Sequence, residues 1–384
     1  MNTMQNLPIS ISSDMRLRFL QNDEKTFAST EEQLPLVIEP VKEKSFAALK
    51  ALLKESAQWF NKQLDTYGAI LFRGFEVEGA EQFQTALELL NVQLESFYHF
   101  GSAQRVRITD KVFTSSEAPP DMIISFHNEL NMVPVRPSVL AFFCQVQPDV
   151  YGETPIINTE KLFLSLSPNL QHKFGNFPQR FERYVPNHLL EIVFEGLSRE
   201  EISKLLQEQG FDFNWEEDGS LYFECSYITI ITHPRTSRLC FSLSIIDCLV
   251  NREWYRNLGQ RYSFGQRLYY NLLPTKLYKN FQQRLATAAT VVDGSQKRTS
   301  TLNASFLNKD GQCTKMTEAE AKELGKAEWK NAAIFKWKQG DILVIDNLQV
   351  AHGRLNTKLK RKILTAFGNM CNIRDMKPAL FING

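Results

Sequence analysis

The sequence predicts a mainly β protein with helical insertions, an α+β chain whose core is a double-stranded β-helix (jelly roll) flanked by helices. Three observations predict it. Short apolar runs of β type recur at 69–75, 122–126, 139–146, 227–232, 239–246, 332–337, 342–345 and 363–367. Two stretches of helical character, near 160–210 and 249–285, interrupt that series as insertions. Two polar motifs that read as halves of one site, around 127 and 352, lie 225 positions apart, a separation that a closed double sheet can bridge.

In chain order, residues 1–33 are mostly polar and read as an irregular arm, and 34–384 as a single domain. The segment 42–68 reads as an amphipathic helix. Phe46, Leu49, Leu53, Phe60 and Leu64 recur at helical steps, and Gly68 is its stop signal. The first insertion is broken by Pro168, Pro178 and Pro186, and the second is rich in Tyr, Phe and Arg. Neither repeats nor a low-complexity linker divides the chain.

Composition narrows the class. A hydrophobic content of 43% in 384 residues is ample for a sizeable core. A net charge of +1, with no basic patch interleaved with aromatics, argues against nucleic acid as a partner. No stretch is apolar for the roughly 18 residues a membrane helix needs, and 1–14 lacks a signal-peptide core. The six cysteines, at 144, 225, 240, 248, 313 and 371, show no Cys-x-x-Cys pairing. Buried thiols in a reducing cytoplasm are the expectation.

The chemistry-bearing residues sit in Ser125-Phe126-His127-Asn128-Glu129-Leu130 and in the block from Gly340-Asp341 to His352-Gly353-Arg354. A non-heme iron(II) that activates oxygen needs protein ligands on one face only, and two imidazoles with one carboxylate supply them. On an extended strand His127 and Glu129 project the same way, and Asn128 points away. Alone this half is weak: with six histidines and 43 acidic residues, a His-x-(Asp/Glu) triplet arises by chance about 0.7 times. The distal block supplies context. Gly340-Asp341 turns, 342–345 is a buried-type strand, Asp346-Asn347 turns again, and His352 follows that corner in a second extended stretch. His127, Glu129 and His352 are therefore the expected iron ligands.

Beyond His352 the strand 363–367 opens on Lys360-Arg361-Lys362. A cosubstrate with two carboxylates explains the charge, because the guanidinium fork clamps a carboxylate with two parallel hydrogen bonds. Arg361 is the first choice and Lys362 the reserve, since alternation turns only one of them inward. The plainer reading is a solvated basic strand end. Arg354, on the face of His352, either meets an anionic substrate or pairs within the wall. His99 and His188 could line a substrate mouth, though ordinary surface or core roles are the simpler account. His172 reads as structural and His233 as a strand-end residue.

At this point the chain resembles the taurine dioxygenase and clavaminate synthase group of iron(II)- and 2-oxoglutarate-dependent oxygenases, the TauD/TfdA family. The likeness runs from Gly68-Ala69-Ile70-Leu71-Phe72-Arg73-Gly74-Phe75 through Val112-Phe113-Thr114-Ser115-Ser116-Glu117-Ala118-Pro119-Pro120 into His127-Asn128-Glu129. It continues with Arg136-Pro137-Ser138, Gly152-Glu153-Thr154-Pro155 and the distal block. The His-Asn-Glu triplet is closest to the clavaminate-synthase-like branch. The resemblance implies Fe(2+), 2-oxoglutarate and O2 as cofactor and cosubstrates. It also implies that Arg361 binds the distal carboxylate of 2-oxoglutarate and that Thr154 donates a hydroxyl to it. Tyr151 stands where the family has a first glycine, Asn158 where an acidic residue is common, and Phe241-Ser242-Leu243-Ser244 replaces an Asn-containing stretch.

The implied reaction is hydroxylation of a small molecule, an amino acid or its derivative, free or carrier-tethered, with 2-oxoglutarate decarboxylated to succinate and CO2. Halogenating relatives replace the carboxylate ligand by a small residue, and this chain keeps Glu129. Histone-demethylase-like oxygenases hold 2-oxoglutarate with a lysine on an earlier strand, and Arg361 separates this chain from them. The alternative outside that chemistry is a non-catalytic, cupin-like metal-binding protein.

Overall fold

Helix formation at the start of the chain follows its local signals. Strands β1 (Met15–Arg18) and β2 (Leu36–Pro40) precede helix α1 (Phe46–Tyr67), whose N-cap Ser45 accepts from the Ala48 N–H. Gly68 ends α1 in the left-handed conformation (φ 76°), its N–H bonding to Leu64 O at 2.7 Å. A Cβ at Gly68 would also stand 2.6 Å from Val350 Cγ2, so both conformation and space demand glycine. Next come β3 (Ala69–Phe72), α2 (Ala80–Leu89), β4 (Phe113–Thr114), β5 (Ile124–His127), β6 (Val135–Val146) and β7 (Ile156–Asn158).

The middle holds α3 (Thr159–Leu164), α4 (Pro168–Asn176), β8 (Gln179–Val185), α5 (Leu190–Val193), α6 (Arg199–Glu208), β9 (Asp212–Trp215), β10 (Leu221–Tyr227), β11 (Ile230–Thr232) and β12 (Leu239–Phe241). The remainder is α7 (Cys248–Asn257), α8 (Phe264–Leu272), β13 (Thr301–Leu307), β14 (Cys313–Thr314), α9 (Glu318–Asn331), β15 (Ile342–Asp346), β16 (Val350–Arg354) and β17 (Lys362–Asn372). This computed structural model describes residues 14–379 apart from 28–30, 32, 98, 101–104, 116–119, 121, 245–247, 279–300 and 359.

Two sheets make the jelly roll. The larger runs β1-β2-β3-β15-β6-β17-β4 and the smaller β5-β16-β7. Between them lies a core that includes Leu71, Phe142, Leu343 and Ile345 of the larger sheet and Ile156 and Val350 of the smaller. The other face of the larger sheet is covered by α1 and α2 through Leu49, Leu53, Phe60, Phe83 and Leu87. Ile342, Leu343, Val344 and Ile345 are all buried, which fits a central strand covered on both faces. Each such side chain contributes roughly 1.5–3 kcal/mol by leaving water.

Several expectations need correction. The arm 1–33 contains β1, which pairs with β2 and so belongs to the larger sheet. The insertion 160–210 contains β8, a strand with strict inward and outward alternation that joins the five-stranded sheet β14-β13-β8-β10-β9. Its charged Arg-Phe-Glu-Arg sequence and flanking prolines hid that period of two. The second insertion is helical in α7 and α8, and its stretch 279–285 lies outside the described residues. The run 332–337 forms only isolated bridges, at Ala333 and Phe335, although Phe335 and Trp337 are buried. Cys144, Cys225 and Cys240 are buried free thiols, but Cys313 is exposed.

Candidate metal centre

The register of the smaller sheet places the two histidines. His352 on β16 sits directly opposite His127, the last residue of β5, and the ring centroids are 4.2 Å apart. Glu129 arrives by a route other than strand alternation. β5 stops at His127, and the chain turns through Asn128, Glu129 and Leu130, the last at φ 54°. Asn128 does point away from the site, donating to Asn347 O (2.6 Å) and accepting from Leu243 N (2.8 Å).

A reciprocal clasp fixes this turn. Asn347, at the corner between β15 and β16, accepts from Glu129 N at 2.7 Å and donates to Glu129 O (3.1 Å) and Pro137 O (2.7 Å). Each half of the site thus satisfies backbone groups of the other through a buried asparagine.

One nitrogen from each of His127 and His352 and an oxygen of Glu129 lie within 4.8 Å of one another. Glu129 Oε2 is 3.6 Å from His352 Nε2 and 2.9 Å from Arg105 Nη2. A carbonyl can only accept, so the 3.1 Å contact between His127 Nδ1 and Ser125 O puts the proton on Nδ1 and leaves Nε2 with a lone pair. Burial pushes both histidines below the usual imidazole range, which keeps them in the neutral, metal-binding form at neutral pH. His352 Nδ1 is buried without a hydrogen-bond partner among the described residues. Two imidazoles and one carboxylate held together, with an under-satisfied ring, fit a divalent cation of the iron type.

A second group of polar residues meets at Thr154. Thr154 Oγ1 accepts from Trp337 Nε1 (3.2 Å) and Arg361 Nη2 (3.1 Å), which leaves its own hydrogen to donate elsewhere. Arg361 Nε is buried and has no hydrogen-bond partner among the described residues. Burial, and then the nearby Arg354 charge, push the Arg361 guanidinium down to about 9, so it is still a cation at neutral pH. Lys362 is exposed, so Arg361 is the inward member of the pair.

The departures in this loop resolve physically. Tyr151 takes the left-handed conformation itself (φ 64°) ahead of Gly152 (φ 79°). Its ring lies 4.1 Å from the Arg261 guanidinium, which also grips Glu153 with two bonds of 2.6 and 3.0 Å. Gly152 leaves room for Arg361, whose Cδ would stand 3.0 Å from an added Cβ. Asn158 caps α3 by accepting from Lys161 N.

Arg354 ends β16, is nearly buried, and lies near enough to Arg361 for its charge to be felt there. His233 belongs to a buried network away from the ligands. Its Nδ1 accepts from the Arg235 and Thr236 N–H groups, and its Nε2 donates to Asp346 Oδ2 at 3.0 Å. His172 bonds Asn176, His188 is exposed and His99 stacks on Phe97. Sequence reasoning missed Arg105, Trp337, Arg261 and the clasp role of Asn347. Only Asn347 carried a local signal, as a turn residue; the others act on partners far away in sequence.

Comparison with known proteins follows the same lines. A family model described as "Taurine catabolism dioxygenase TauD, TfdA family" matches residues 30–262, which include His127, Glu129 and Thr154. The chain is 25% identical over 346 residues to a clavaminate synthase-like protein of Arabidopsis thaliana, covering 85% of this chain and 89% of that one. It is 24% identical over 319 residues to the dapdiamide synthesis protein DdaC of Enterobacter agglomerans, covering 79% and 82%. The crystal structure of PvcB from Pseudomonas aeruginosa superposes with a TM-score of 0.50 at 12% identity, covering 95% of this chain and 93% of that one.

Proposed function

The chain belongs to the taurine catabolism dioxygenase TauD, TfdA family, and from that premise we propose that it is an iron(II)- and 2-oxoglutarate-dependent oxygenase of small molecules. The observation that carries the reading is the pairing of a His127, Glu129 and His352 cluster with Arg361 hydrogen-bonded to the buried Thr154. His127, Glu129 and His352 would hold the metal, and Arg361 with Thr154 the distal carboxylate of 2-oxoglutarate. When bound, iron and 2-oxoglutarate supply with O2 the oxidising power, releasing succinate and CO2.

The protein's own residues orient and shield. Asn347 and Asn128 fix the turn that aims Glu129, and Phe142, its ring 5.1 Å from that of His352, presents an apolar wall that keeps water out. Trp337 and Arg361 both donate to Thr154, so its hydroxyl hydrogen is directed to an acceptor such as a carboxylate. Arg354, beside the cosubstrate end, is the residue we assign to an anionic group of the substrate.

The substrate class we favour is an amino acid or amino-acid derivative, free or carrier-tethered, in specialised metabolism. The dapdiamide synthesis relative supports it. Hydroxylation is the expected outcome, and desaturation, epoxidation or ring closure draw on the same oxidant. Residues 34–384 act as one catalytic unit in this reading, and the buried thiols suit a reducing cytoplasm. No helix among the described residues is long and apolar enough to cross a membrane.

The test is anaerobic addition of iron(II) and then 2-oxoglutarate to the apoprotein. The visible charge-transfer band of the chelate should form in the wild type and be lost in His352→Ala. A folded, metal-loaded wild type with no band would overturn the oxygenase reading and favour a cupin-like metal-binding protein. With the band in hand, succinate release across amino-acid and carrier-bound panels identifies the substrate.

A further inference from the structure

β5 carries His127 and, among the described residues, is an edge strand paired with β16 on one side. Its free edge is closed by α7. Ser125 N donates to Asn251 Oδ1 (3.2 Å) and Ile123 N to Tyr255 Oη (3.3 Å), so two outward backbone donors end on helix side chains one turn apart. Trp254 lies on the same helix face, its ring centroid 4.7 Å from Phe126, the residue before His127.

The same indole reaches the other ligand strand. A Cβ at Gly353, the residue after His352, would stand 3.3 Å from Trp254 Cη2 and 2.8 Å from Ile124 O. Glycine is needed there because Trp254 and β5 fill the space. One side chain therefore packs against the neighbours of both histidines.

Trp254 is itself held from behind. Its Nε1 donates to Glu328 Oε2 of α9 at 2.7 Å, and Glu328 is 1% exposed. Gly325 permits that approach: a Cβ there would lie 2.8 Å from Glu253 Cβ and 3.1 Å from Val250 O. Burying a carboxyl group against one indole donor is costly, and an apolar residue would pack as well. Burial pushes Glu328 up to about 8, so the neutral acid is the resident form at neutral pH and glutamine is its near-isostere.

We propose that the Asn251, Trp254 and Tyr255 face of α7, with Glu328 behind it, is the positioning element that sets the spacing of His127 and His352. This rests on the metal-site reading above. Trp254 and Glu328 are positioning residues and touch neither metal nor substrate.

The experiment uses full-length wild type, Trp254→Phe, Glu328→Leu and Glu328→Gln. Each is titrated with cobalt(II) alone, recording affinity and ligand-field bands, beside thermal melting. Trp254→Phe and Glu328→Leu should shift the bands and weaken cobalt binding by on the order of 10-fold, while Glu328→Gln stays within about twofold of wild type. Unchanged bands and affinity in folded Trp254→Phe and Glu328→Leu would overturn the proposal. So would Glu328→Gln failing to rescue, with affinity following melting temperature across the series. If Glu328→Leu does not fold, Tyr255→Phe, which keeps ring volume but loses the acceptor for Ile123 N, replaces it under the same criteria. The 2-oxoglutarate band tests the oxygenase reading separately, since cobalt titration needs no cosubstrate.

Discussion

The two ends of the site are built on opposite principles. At the metal end, the ligand-bearing segments are fixed by hydrogen bonds that exist within the chain: Asn347 answers Glu129 N, Glu129 O and Pro137 O, and Asn128 answers Leu243 N. At the carboxylate end, Arg361 has a buried Nε without a partner and is pulled below its ordinary pKa by burial. At the first end the backbone of the turn is satisfied within the chain, and only the His352 ring is left short of a partner among the ligand side chains described. The second holds a partly buried cation with an unpartnered Nε, and under the proposed function a bound carboxylate would relieve that cost.

Substitutions at the two ends should therefore move stability in opposite directions. Asn347→Ala leaves three buried backbone groups unanswered and should lower unfolding stability by roughly 3 kcal/mol or more, with metal affinity down about 10-fold to 100-fold. Denaturant melts and metal titration measure both. Arg361→Met should do the reverse to the ligand-free protein, raising its stability by about 1–4 kcal/mol while abolishing the thermal upshift that 2-oxoglutarate gives wild type. If Arg361→Met melts lower than wild type, the contrast between the ends is broken.

Glu328 sharpens the comparison, because the layer behind the metal end carries a buried carboxyl group that stays neutral at neutral pH and becomes costly only when it ionises. Its folded-state pKa is raised from 4.5 to about 8, so the proton is bound more tightly in the folded state. Its stabilising contribution is full below about 4.5, declines as pH rises through about 8, and is constant above that. Melting temperature in wild type should fall across that window more steeply than in Glu328→Gln. Equal slopes would show that the carboxyl group is not the source. The smallest effect expected is Thr154→Val, which removes the acceptor of Trp337 Nε1 and one cosubstrate donor. About 1 kcal/mol of stability and roughly a 10-fold rise in the 2-oxoglutarate needed for half-saturation are the values to measure.

How much of this was legible in the sequence depended on the range of the interaction. The strand pattern gave β15, β6 and β17 because an apolar run is a local property, and α1 was visible in both its face and its Gly68 stop. His127, Glu129 and His352 were readable as residue types with the right spacing, yet the path to Glu129 was not. Leu130 at φ 54° and the Asn347 clasp replace the strand alternation that the spacing suggested. β8 alternates clearly in burial but alternates with arginine and glutamate, so its polarity masked its period. Arg261 and Glu153 meet across 108 positions and Arg105 meets Glu129 from a loop, and no local pattern marks such pairs.

The order of strands has a consequence for how the chain is made. β15 lies between β3 and β6 in one sheet, and β16 lies between β5 and β7 in the other. Both sheets thus receive a middle strand from residues 342–354, after more than three hundred residues have already left the ribosome. Until then neither sheet can zip shut and His127 has no facing histidine. A chain interrupted before that point would lack both central strands at once, and with them the histidine that faces His127.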